Sequence, residues 1–220
     1  HEPLSPRGSK LLRESGARMT RLHNNCSGKH AAMLGRAHAA GWQVFGYERA
    51  DHPVQQAATE TVAKWSGVAS RFIGKAVDGC GVVVYSLPLE AMARAYARLA
   101  DAARRGDEVP RRIVDAMGGR PFLVGGTDRF DSVLIEETDG RVIAKIGAEG
   151  VHSVAVPAAG VGIAVKVEDG AQRAQFPAVL RTLQLLGVLP TTLPQRLAEF
   201  MHRQVRNTRG EVVGEVRCDA

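Results

Sequence analysis

Apolar and polar positions along the chain change period near its middle. After Cys26-Ser27-Gly28, the alanine-rich run His30 to Ala40 has high helix propensity and stops at Gly41. Pro53 is suited to a first helical turn, where its missing N–H costs nothing, and the segment Val54 to Trp65 ends before Gly67. From Leu89 to Arg105, Ala91, Ala95, Leu99 and Ala102 or Ala103 recur at helical spacing, with arginines on the opposite face. Between the last two helices, Val82 to Tyr85 is short and β-branched, which suits a strand or an extended connector.

From Arg141 to Glu168 the pattern becomes Val142–Ile146, Val151–Val156 and Val161–Val167, each bounded by Gly, Pro or Ala. Runs of five to seven residues with short breaks predict an antiparallel meander. Phe176–Leu186 and Leu193–Val205 read as helices packed across one side of that sheet. Glu211–Val216, after the turn-like Asn207-Thr208-Arg209-Gly210, reads as a last short strand. No repeat or linker interrupts residues 1–220, so the chain is expected to form one domain of the α+β class.

Composition narrows the function. With 45% hydrophobic and 24% charged residues the chain is globular, and no apolar run reaches the roughly 18 residues of a membrane span. The net charge of +6 raises the question of nucleic acid, but the basic residues are scattered and aromatics make up only 5%. Solvated helix faces account for them, and neither nucleic acid nor a membrane is expected as a partner. Three cysteines, Cys26, Cys80 and Cys218, suggest thiols in a reducing compartment, or metal ligands; the expected location is cytoplasmic.

Three places could carry chemistry. The first is His23 to His30, just before a helix. There the dipole and Lys29 would both favour the Cys26 thiolate, the form that attacks carbonyls or binds metals. The alternative is a capped helix with an inert thiol. The second is Asp78-Gly79-Cys80-Gly81, whose glycines allow a tight turn or close approach to a ligand. Cys26 and Cys80 lack Cys-x-x-Cys spacing, so a metal there would need further ligands. The third is Lys145, which alternation places on one strand face with Ile143 and Gly147, opposite Val142, Ala144 and Ile146. It is either solvated or set in a pocket as base or charge partner. Lys166 shares a face with Glu168 and is explained by solvent. The sequence contains no Ser-x-x-Lys, Gly-x-Ser-x-Gly, P-loop or His-Glu-x-x-His.

Taken together, these stretches resemble the thermolabile, rhizobial type II L-asparaginases. The matching residues are His1-Glu2-Pro3, similar to the end of a Cys-Gly-x-His-x-Pro segment, then His23 to His30, Asp78 to Gly81, Arg120-Pro121 to Gly125, Lys145 to Val151 and Gly162 to Gly170. The resemblance implies a fold like that of serine β-lactamases and glutaminases, an antiparallel sheet flanked by helices. It implies hydrolysis of L-asparagine to L-aspartate and ammonia by a serine that a lysine activates. It assigns the catalytic lysine to Lys145, substrate contacts to Asp78, His30 and Gly147, and a zinc site to Cys26, Lys29 and Cys80. About one zinc per chain is therefore expected.

The family's Ser-x-x-Lys lies upstream of the segment in which this chain begins. The 220 residues alone are thus expected not to hydrolyse asparagine by that mechanism. The apolar face that upstream strands would cover is expected to promote association, a homodimer being its simplest form. Two other readings stand beside this one. One is a thiol-dependent hydrolase with Cys26 as nucleophile and Lys29 or His30 as base. The other is a non-catalytic metal- or small-molecule-binding module.

Overall fold

The structure is a computed structural model that describes residues 1–218. Its contacts divide the chain into two compact units, His1–Ala91 and the residues from Met92 onward. The fold is α+β, with helices accompanied by small antiparallel sheets.

In the first unit, α1 (Pro6–Glu14) begins at Ser5, whose hydroxyl accepts the Gly8 N–H at 3.1 Å. Helix α2 (Ser27–Ala39) starts directly after Cys26. Helix α3 (Pro53–Ser66) has Pro53 in its first turn, is capped by the His52 ring on the Val54 N–H at 3.2 Å, and closes at Gly67 with φ 75°. That left-handed angle is the one glycine adopts without penalty. Strands β1 (Gly74–Val77) and β2 (Val83–Ser86) form an antiparallel hairpin with Val77 opposite Val83. Every residue of β1 is exposed, so no hydrophobic alternation marks it in the sequence. The buried hydrophobic side chains of this unit are small: Ala37, Val54, Ile73, Val82, Val83 and Ala91. Polar bonds supplement them. The buried Gln55 amide donates to the Tyr47 carbonyl at 2.9 Å, and the Thr59 hydroxyl lies 3.3 Å from the Tyr85 hydroxyl.

Helix α4 (Leu89–Arg104) runs from the end of the first unit into the second. It is followed by α5 (Glu108–Gly119), α6 (Pro121–Gly125) and α7 (Phe130–Glu137). The meander then forms as expected: β3 (Ile143–Ile146), β4 (Val151–Val156) and β5 (Val161–Lys166), antiparallel in that order. Helices α8 (Gln175–Leu185) and α9 (Gln195–Met201) follow, and the last hairpin pairs β6 (Arg203–Arg206) with β7 (Val212–Val216).

Two expectations require correction. The final helix is shorter than Leu193–Val205, because its last residues are a strand. The Asn207 side chain accepts from the N–H groups of Arg209 and Glu211 at 2.9 and 3.0 Å, and this turn folds Arg203–Arg206 back on β7. Helices also cover both faces of the meander, not one. On one face Val142, Ala144, Val154 and Ile163 meet Phe130, Phe176, Leu180, Leu183 and Leu197. On the other, Ile143 and Ala155 meet Ala100 of α4 and Val114 of α5. The second contact depends on Gly162, where a Cβ would stand 2.2 Å from the Ala93 carbonyl oxygen and the Ala97 nitrogen. Helix α4 therefore lies with its backbone against β5.

Candidate functional site

The first candidate lies wholly in the first unit. Cys26 is the N-cap residue of α2, and its own N–H is held by the Asn24 side chain at 2.8 Å. Lys29 is one turn further on. The β1–β2 connection supplies the rest. Asp78 and Val82 are tied by the Asp78 N–H to the Val82 carbonyl at 2.8 Å, and the Gly81 N–H, at φ 92°, donates to the Asp78 carbonyl at 2.8 Å. This turn aims Asp78 and Cys80 to the same side.

One sulfur or oxygen atom from each of Cys26, Asp78 and Cys80 lies within 4.8 Å of the others. The Lys29 ammonium donates to Asp78 Oδ2 at 2.9 Å, and the Cys80 thiol to the same oxygen at 3.2 Å. Burial pushes the Cys26 thiol above its ordinary pKa, against the opposing pull of Lys29. For Lys29 burial works downward, but the hydrogen bonds to Asp78 and Cys80 outweigh it and raise the group. Asp78 is held below the usual carboxylate range, first by the Lys29 hydrogen bond and then by Cys80.

Desolvation of the sulfur and the neighbouring Cys80 and Asp78 thus work against the thiolate, and the Lys29 charge works for it. Of the two bases that a thiol-dependent hydrolase would use, Lys29 is ion-paired with Asp78, and His30 Nδ1 meets the Tyr47 hydroxyl, with the two rings edge to face at 5.7 Å. The donor set does fit a zinc ion. Two thiols supply soft ligands, Asp78 and Lys29 can supply an oxygen and a nitrogen, and tetrahedral ligands at zinc distances are about 3.3 to 3.8 Å apart. A closing movement of about an ångström brings atoms within 4.8 Å to that spacing. Asp78, assigned by resemblance to substrate, here stands among the candidate metal donors.

The second candidate, in the second unit, surrounds Lys145. The alternation places it as expected. Val142, Ala144 and Ile146 face one core and Ile143 the other, while Lys145 is exposed on the Ile143 side. Its ammonium donates to the Ile146 carbonyl at 2.8 Å, and its cross-strand partner is Ser153. Gly147 continues the strand into a turn, its N–H on the Val151 carbonyl at 2.8 Å. Lys166 is exposed too, its amine on the Val167 carbonyl at 2.5 Å.

Two residues beside Lys145 escaped the sequence reading. Asp131 and His152 are buried, with Asp131 Oδ1 and His152 Nε2 3.0 Å apart. Asp131 Oδ2 accepts the Ile146 N–H at 2.8 Å. Burial opposes the Asp131 charge, but His152, the Ile146 N–H and Lys145 together hold the carboxyl below its ordinary range. The available signal was a histidine in the largely apolar strand Val151–Val156, where burial demands a polar partner.

Among the described residues no helix is long and apolar enough to cross a membrane. No curated protein matches the chain. The family model for L-asparaginase II matches residues 1–218. The chain belongs to the L-asparaginase II family.

Proposed function

We propose that this chain contributes to a zinc-supported amidohydrolase that converts L-asparagine and water to L-aspartate and ammonia through a lysine-activated serine. The observation that carries the reading is the convergence of Cys26, Lys29, Asp78 and Cys80 within a chain of this family. Cys26 and Cys80 would hold the zinc with Asp78 or Lys29. Lys29 binds it only as the neutral amine, so metal must displace the Asp78 ion pair or leave Lys29 outside the ligand set. When bound, zinc supplies positive charge for polarising a carbonyl or orienting the substrate.

In this reading Lys145 serves as base or charge partner for the reacting amide. Its strand gives it a fixed stem, and solvent access leaves room for a polar substrate. His30, Gly147 and Asp78 are the proposed substrate contacts, with Asp78 shared between that role and the zinc. The nucleophile is a serine of the family's Ser-x-x-Lys type, which His1–Ala220 does not contain.

The test is ammonia release from L-asparagine by the whole translated polypeptide that contains these residues, with zinc measured in parallel. Activity that falls at least a hundredfold in Lys145→Met, together with about one zinc per chain that Cys80→Ser abolishes, supports the reading. Full activity in Lys145→Met overturns the lysine's role. Zinc absent from metal-replete wild-type protein overturns the metal site.

A further inference from the structure

A buried carboxylate next to a neutral core is costly, and a carboxylate whose contacts are incomplete is costlier still. Asp131 is 2% exposed and His152 0% exposed. They approach to 3.0 Å, yet Asp131 Oδ1 and His152 Nε2 make no hydrogen bond of regular geometry, so the approach is bent. The pair is nevertheless fixed from outside. The Gln175 amide of α8 donates to the Val151 carbonyl at 2.5 Å and lies 3.2 Å from His152 Nδ1. An amide nitrogen can only donate, so Nδ1 accepts and the ring proton sits on Nε2, facing Asp131. Phe130 and Phe176 close over the imidazole, with ring centroids 5.2 and 6.1 Å away.

All of this holds one carboxylate against one backbone group. The Gly147 N–H bonds to Val151, so along β3 the Ile146 N–H points away from β4, where a free strand edge would leave it to solvent. Asp131 takes that N–H at 2.8 Å. Ile146 directly follows Lys145, and its carbonyl receives the Lys145 ammonium at 2.8 Å. One residue, Ile146, thus gives its N–H to the carboxylate and its carbonyl to the amine. The charged and titratable groups around Asp131 are His152 of β4, Lys145 of β3, Tyr96 of α4 and Arg129, which lines a small crevice with Phe130, Ile146 and Phe176.

We propose that Asp131, oriented by His152 and Gln175, is a positioning residue for Lys145: it locks the end of β3 through the Ile146 N–H and sets a fixed negative charge near the amine. This rests on the assignment of Lys145 to the reaction, but it can be tested without turnover. Lys166 is an internal control, because it lies on β5 of the same sheet and bonds its own following carbonyl in the same way.

The experiment is limited acylation of the folded protein at neutral pH, with the Lys145 to Lys166 labelling ratio read by peptide mass spectrometry. Asp131→Asn keeps an oxygen for Ile146 but removes the charge, and should raise the ratio about threefold. Repeating the labelling at a pH where both amines are unprotonated should return the ratio to its wild-type value. A merely loosened strand would keep the ratio high at every pH, so that result overturns the electrostatic role, as does an unchanged ratio at neutral pH. If Asp131→Asn does not fold, Gln175→Met removes the outer donor at similar volume and should raise the ratio about twofold; no change there overturns the proposal. An inactive Lys145→Met with an unmoved labelling ratio would defeat Asp131 alone. A moved ratio with a fully active Lys145→Met would defeat the lysine's role in the reaction alone.

Discussion

The two units solve opposite problems with the same kind of chain. Among the described residues of the first, no buried hydrophobic side chain is larger than Ile73, and polar bonds from Gln55 and Thr59 share the interior with it. The second buries Phe130, Leu134, Phe176, Leu180, Leu183 and Leu197 around a three-stranded sheet. A cluster of two thiols, a carboxylate and an amine must stay partly open for a ligand to enter, and it sits in the unit with the thinner core. Lys145 sits on the sheet that is packed from both faces.

That contrast can be broken or sharpened by substitution. The largest expected effect is Gly162→Ala, whose methyl meets the α4 backbone at 2.2 Å. Neither backbone can rotate aside, so a loss of about 4 kcal/mol in denaturant unfolding is expected. A loss below about 1 kcal/mol would show that α4 does not rest on β5.

Next comes a matched pair. Leu183→Ala in the second unit should cost about 3 kcal/mol through its cavity. Val54→Ala in the first should cost about 2 kcal/mol, since two fewer methyl groups leave water. Equal costs, measured by urea midpoint with unchanged slope, would contradict the difference in core quality.

The smallest effect concerns acid. The Asp131 carboxyl is held below its ordinary value in the folded state, so the unfolded chain binds the proton first as pH falls. Its contribution is complete above about pH 4 and is lost as pH drops through the lowered folded value. Asp131→Asn should therefore flatten the stability curve below about pH 4 while leaving its shape near neutrality unchanged. Thermal melts between pH 2 and 7 would show this, and an unaltered acid slope would contradict it.

Regular periodicity made much of this architecture legible. The alanine spacing of α4, the proline and glycine bounds of α3 and the three β-branched runs all correspond to elements within a residue or two of their expected ends. What escaped lacked a one-sided pattern. Helix α7 is buried from Phe130 through Ile135, so no polar stripe betrays its period, and β1 is exposed throughout, so no apolar stripe does. At the two candidate sites, Cys26, Lys29, Asp78 and Cys80 in the first unit and Lys145 in the second stood out by residue type and motif. The Asp131–His152 contact did not, because the two positions are distant in sequence and only the packing of α7 on the sheet joins them. The surroundings of Cys26 were half legible for a related reason: dipole and neighbour can be read from sequence, whereas the burial that opposes them cannot.

The hairpin end at Asp78–Gly81 has a mechanical consequence. Asp78 and Cys80 come from one hairpin, Cys26 and Lys29 from one helical turn, and the Lys29–Asp78 contact already spans 49 positions of chain. An ion gripping both would act as a cross-link, closing a long loop much as a disulfide does and removing much of the freedom of the unfolded chain. The unit with the smaller oily interior would then draw its rigidity from the cargo it carries, and chelation would loosen its fold as well as empty its site.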